Sequence, residues 1–377
     1  MATERIYLDF NASTPIAPEV AAAMRPFLAE HYGNPSSLHW AGRPAKEAVE
    51  HARGQVARLL GADPAEVVFT SGGSEANNHA LKGVFFALRN RGNHIVTSAV
   101  EHPAIIQPCR FLERIGARVT YVPVDGTGLV DPDAVRRALT PQTILVSVMH
   151  ANNEVGTVQP IREIARIARE AGVLVHTDAA QSVGKIAADV NELGVDLLSV
   201  AGHKLYAPKG VGALYIRKGA PIEPLVHGAG HEAGRRAGTE NVLLDVGLGA
   251  ACDLAHQWLG MPYVRELRDY FWWQLQQAFR GKIVLNGHPT KRLPNTLHVS
   301  FLGQSGSDLL AVLPELAAST GSACHAGLVE LSPVLKAMGV SDEVGLGAVR
   351  FSLGRTTTKD EIDRALDLLR PFSRGPA

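Results

Sequence analysis

An α/β protein built on a largely parallel sheet is predicted by three features of this 377-residue chain. Between about residues 44 and 217, short apolar runs that read as buried strands alternate with stretches of helical spacing. Gly-rich turns and polar residues follow several of these runs, where a strand hands over to a helix. After Gly238 the alternation gives way to helices with a few shorter strands, which predicts a second, smaller α+β unit.

The elements follow in order. Pro44 to Leu60 carries apolar residues at helical spacing, and Glu66 to Thr70 (EVVFT) reads as a buried strand. A Gly-Gly turn leads into a helix from about Ser74 to Arg89. Strand-like runs recur at His94–Ser98, Ala117–Val122, Thr143–Met149, Val173–Thr177, Asp196–Val200 and Gly212–Ile216, with helical stretches such as Ile161–Ala171 between most of them. With the first run that makes seven strands, mostly parallel and covered by helices. A long helical region then extends to about Phe279. Strands at His298–Phe301 and Ala348–Leu353 follow, and a last helix, Lys359–Leu369, ends before Pro371. We expect residues 16–255 to form the large unit, and residues 1–15 with 256–377 the small one.

Lys plus Arg and Asp plus Glu each number 37, so the formal net charge is zero. That balance lacks the basic excess of a nucleic-acid-binding surface. No run of about 18 apolar residues is present, so no membrane span is expected. Cys109, Cys252 and Cys324 are too few for a disulfide framework, and no pair has metal-ligand spacing. A reducing, cytoplasmic setting is the expectation.

Five groups can carry chemistry. TSGGSEANN (70–78) joins a strand to a helix, and free N–H groups there attract anions; an ordinary glycine turn with Ser74 as helix cap is the other reading. HTDAAQ (176–181) ends a strand where ligands of such sheets bind. Asp178 can pair with a protonated pyridine nitrogen and Gln181 can reach a neighbouring ring oxygen, or Asp178 simply caps the next helix. DLLSVAGHKLYAPKG (196–210) runs an apolar strand straight into Gly202, His203 and Lys204. A desolvated lysine at that point can form a Schiff base with a carbonyl cofactor, whereas Lys209 reads as solvated. STGSACHAG (319–327) places Cys324 in a flexible small-residue stretch between elements, ahead of a helix capped by Ser332 and opened by Pro333. Cys109 and Cys252 have ordinary helical settings. VRFSLGR (349–355) sets Arg350 and Arg355 about a strand, suited to a substrate carboxylate or to a surface ion pair.

Taken in order, these motifs resemble the cysteine desulfurase family, the NifS/IscS group of fold-type I pyridoxal-phosphate enzymes. The likeness spans nearly the whole chain. It includes YLDFNASTP (7–15), GNPSS (33–37), EHPAI (101–105), HANNEVGTVQP (150–160), GHEAGRRAGTEN (230–241) and RFSLGRTTT (350–358) in addition to the groups above. The resemblance implies a fold-type I transferase using pyridoxal 5′-phosphate, with Lys204 as the Schiff-base lysine. It implies Asp178 against the pyridine nitrogen, Gln181 on the ring oxygen, His102 stacked on the ring and Asn153 beside cofactor and substrate. Gly73, Ser74 and His203 would hold the phosphate, with Thr239 supplied by the second subunit of a homodimer. Arg350 would bind the carboxylate of L-cysteine. Cys324 would take the sulfur as a persulfide and pass it to an acceptor protein.

Two positions depart from the family pattern. Ala201 stands where a serine usually bonds the phosphate, and His325 follows Cys324 where many members carry Ser or Thr. Both features look like selenocysteine lyases, which release selenide and alanine, so that activity is the nearest alternative; a pyridoxal-phosphate aminotransferase is a further one. The longer tail by which some members dock an iron–sulfur scaffold is not expected after the last helix.

Overall fold

The computed structural model describes residues 5–320, 323–325 and 328–374; for residues 323–325, 328–330 and 374 it describes the backbone alone. Its centre is a seven-stranded sheet in the spatial order Val67–Thr70, Gly212–Ile216, Leu197–Ala201, Leu174–Asp178, Thr143–Ser147, His94–Ser98, Arg118–Val122. All but Gly212–Ile216 run in one direction; that strand is antiparallel to both neighbours. The expected strands are all present, with ends shifted by one or two residues.

Helices pack on both faces, so nearly every residue of these strands is buried except on the edge strand Arg118–Val122, and the apolar runs in the sequence follow from that burial. The middle of the sheet also carries a polar stitch. His176 lies within 2.9 Å of Ser147 Oγ through Nδ1 and within 2.9 Å of Ser199 Oγ through Nε2, binding three adjacent strands. Burial pushes this imidazole down to about 3, so it stays neutral and can donate on one side and accept on the other.

The C-terminal part has its own antiparallel sheet, ordered Ser319–Thr320, Ala348–Ser352, Thr296–Phe301, Ile283–Asn286. Phe271, Phe279, Phe301 and Phe351 form the centre of its core. The N-terminus joins this part: Ile6–Tyr7 pairs in parallel with Leu316–Ala317, and Ile6 and Leu8 enter the same core.

Three expectations need correction. The helical region after Gly238 is two helices, Val242–Trp258 and Pro262–Ala278. Gly260 and Met261 take left-handed backbone angles and Pro262 brings no N–H, so one continuous helix cannot pass. The helix after the Gly-Gly turn begins at Gly73 with Gly72 at its cap, so Ser74 lies inside its first turn. The Cys324 stretch is paired rather than irregular: Ala323–His325 runs antiparallel to Leu328–Glu330, with Cys324 opposite Val329.

Candidate active site

The shared strand direction brings five sequence motifs to one edge. Beyond the carboxyl ends of the strands lies a cleft of about 570 Å³, within the range of small-ligand sites. Asn11, Gly73, Ser74, His102, Asn153, Asp178, Gln181, His203, Lys204 and Arg350 all line it. Nine of the eleven residues singled out in the sequence line this one cavity.

 Asn11 is the one residue named above that the sequence did not single out. Thr239 is exposed, away from the cleft, and the side chain of Cys324 lies outside the described residues.

Lys204 follows its strand directly. Its Nζ donates to the backbone oxygens of Asn11 (2.6 Å) and Ala12 (2.8 Å) and has no carboxylate partner among the described residues. Burial, reinforced by the positive charge of Arg350, lowers its pKa to about 8. Asp178 ends the neighbouring strand of the sheet and is 5% exposed. Its carboxylate accepts from Asn77 Nδ2 (2.7 Å) and from the Ala180 N–H (2.9 Å), but no cation pairs with it among the described residues. A buried carboxylate of this kind is suited to a cationic ligand atom.

Most of the remaining wall groups are neutral or donors, and the carboxylate of Glu75 is paired with Arg236. His102 caps the helix Pro103–Glu113, its Nδ1 accepting from the Ala104 N–H (3.1 Å), and burial lowers its pKa. Burial likewise takes His203 down to about 4. Gly72 caps the helix Gly73–Leu88 without a side-chain bond, leaving the first turn open to the cleft. A Cβ on Gly73 would come within 3.1 Å of the Ala201 Cβ, so glycine lets this helix start sit against the Lys204 strand. Arg350 is held by Asp9 Oδ1 (2.8 Å), Ser319 Oγ (3.0 Å) and the Asn153 carbonyl (2.9 Å), while its buried Nε has no partner. Arg355 instead covers the Tyr206 ring at 4.7 Å.

Cys109 and Cys252 are buried, and burial raises both thiols, the first to about 12. Neither can ionise readily as a nucleophile. Sequence reasoning passed over Asn11 and Asn77, which lie in quoted motifs, and Lys185, four residues beyond one. Their polar contacts are with residues distant in the chain or with a carboxamide one helical turn away, and nothing in their local pattern distinguishes them from surface residues.

A family model described as Aminotransferase class-V matches residues 6–365, and the chain belongs to that family. A protein named Cysteine desulfurase IscS from Dictyoglomus turgidum is 50% identical over 368 residues, covering 97% of this chain and 93% of its own. Another of that name from Methanosarcina thermophila is 47% identical, covering 97% and 91%. A solved structure described as a NifS-like protein superposes with a TM-score of 0.92 at 38% identity, covering 97% and 98%. One described as SspA in complex with cysteine gives 0.84 at 37%, covering 94% and 100%.

The lowered basicity of Lys204 has a direct test. Below about pH 8 the amine is protonated and unreactive; above it the neutral form prevails. In cofactor-free protein, a small acylating reagent should modify Lys204 with a midpoint near pH 8, against about 10.4 for an ordinary lysine. Peptide mapping that placed the Lys204 midpoint near 10 would contradict the electrostatic reading.

Proposed function

We propose that this chain is a pyridoxal-phosphate-dependent cysteine desulfurase. It converts L-cysteine to L-alanine, receives the sulfur on Cys324 as a persulfide and passes it to an acceptor protein. The observation that carries the reading is the pairing, in one cleft, of a buried carboxylate that meets no cation among the described residues with a lysine of lowered basicity. Those are the two groups an aldehyde-bearing, protonated pyridine requires, and the relatives named above agree with it.

The residues present fit the cofactor. Asp178 would face its ring nitrogen, Gln181 its ring oxygen and His102 its face, while Gly73, Ser74 and His203 would hold the phosphate. Lys204 would carry it. When bound, pyridoxal phosphate supplies an electron sink for charge left on the substrate α-carbon. Lys204 Nζ, neutral above about pH 8, takes and returns the α-proton. Arg350, with Asn153 alongside, holds the substrate carboxylate. The Cys324 thiolate forms a sulfur–sulfur bond as the substrate carbon–sulfur bond breaks, and alanine leaves. Ala201 brings no hydroxyl to this end of the cleft, so the helix start and His203 would carry the phosphate contact.

Residues 16–255 would form the cofactor-binding unit, and residues 1–15 with 256–377 the unit carrying Cys324. We place the protein in the cytoplasm as a homodimer, with iron–sulfur cluster assembly as the use of its sulfur. Leu28, Tyr32, Leu38 and Trp40 are all strongly exposed on one segment, which supports a partner surface. No helix among the described residues is long and apolar enough to cross a membrane.

Two experiments test this. Cys324→Ala should lower sulfide release from cysteine by about a thousandfold or more, while wild-type protein incubated with cysteine should gain one sulfur on the Cys324 peptide. Extra sulfur found on Cys109 or Cys252 alone would overturn the assignment, and a wild type that turns over selenocysteine but ignores cysteine would favour the lyase. For the dimer, Lys204→Ala and Thr239→Ala subunits should each be impaired alone, yet regain up to about half of wild-type activity when mixed, since one site of the hybrid is then intact. No recovery on verified mixing would exclude a shared site.

A further inference from the structure

Lys185 lies below the cleft and takes no part in the chemistry above. It is 5% exposed, yet no carboxylate meets it among the described residues. Its Nζ donates to two acceptors, Asn11 Oδ1 at 3.1 Å and Gln181 Oε1 at 2.8 Å. Gln181 in turn donates through Nε2 to the Asn11 carbonyl at 3.0 Å. Reversing the Gln181 amide would set its oxygen against that carbonyl oxygen, so the two contacts fix one orientation.

We infer that Lys185 is a positioning residue that pins the Gln181 carboxamide with its second N–H turned into the cleft. The inference rests on the cofactor reading given above, in which Gln181 meets a ring oxygen. The charged groups that act on Lys185 are Lys204 and Arg350, both cations, and together with burial they lower its pKa well below the usual lysine range. A neutral amine has two N–H donors, which matches the two acceptors present. It also sets no second full positive charge beside Lys204.

A fixed N–H directed at a ring oxygen stabilises the anion of that oxygen, and so holds down the pH at which the bound cofactor loses its proton. Without Lys185 the amide is free to turn, and the midpoint should rise. The test is the pH titration of the visible absorbance of cofactor-loaded wild type, Lys185→Met, Gln181→Met and the double variant. The Lys185→Met midpoint should rise by about one pH unit, a tenfold change in the acid constant. The double variant should match Gln181→Met alone, because Lys185 acts through Gln181. If Lys185→Met does not fold, Lys185→Gln replaces it; its shorter chain keeps a donor near Asn11 but falls short of Gln181, and the same rise is expected. An unchanged midpoint in the Lys185 variant beside a raised one in Gln181→Met would overturn the inference, as would additive shifts in the double variant. A wild type that develops no visible band with pyridoxal phosphate would instead defeat the cofactor reading itself.

Discussion

The site depends on how one buried residue, Asn11, is satisfied. Its side chain donates to Thr296 Oγ1 (2.8 Å) and to the Asn153 carbonyl (3.3 Å), and accepts from Lys185 and Asn295. Its backbone N–H reaches Ser352 Oγ, and its carbonyl receives both Lys204 and Gln181. Residues from five separate stretches of chain therefore meet at one amino acid that is 1% exposed. A buried polar network of this kind specifies a single arrangement, since any member left unpaired bears the full cost of desolvation. The N-terminal segment thus does more than add a short strand to the C-terminal core: it places Lys204, Gln181 and Asn153 relative to one another.

Around that anchor the cleft is electrostatically incomplete. Among the described residues Asp178 meets no cation and Lys204 no carboxylate, and burial keeps the histidines facing the cleft neutral. Groups perturbed in this way gather where ligand chemistry makes use of them. The two buried cysteines are raised out of reach of ionisation, in keeping with the proposal that Cys324 accepts the sulfur.

Much of the fold was legible because each central strand is buried on both faces and is flanked by a helix of clear period. The carboxyl-end rule then located Asp178 and Lys204 correctly in the cleft. What was not legible depended on long-range contact or on backbone detail. Asn11 and Lys185 read as ordinary polar residues, since their partners are set by tertiary packing. The break before Pro262 was hidden inside a continuous helical pattern, and the small residues around Cys324 suggested irregular chain where the backbone pairs with Leu328–Glu330. Arg350 was picked out as a carboxylate binder, but its existing pairing with Asp9 could not be foreseen from residues 341 positions apart.

The central claim is that the incomplete charges of the cleft are completed by one cofactor. A crystal structure of the protein loaded with pyridoxal 5′-phosphate tests it most directly. The account predicts the cofactor joined to Lys204 Nζ, with its ring nitrogen within hydrogen-bond distance of the Asp178 carboxylate. A cofactor attached to another lysine, or a ring nitrogen facing away from Asp178, would contradict it.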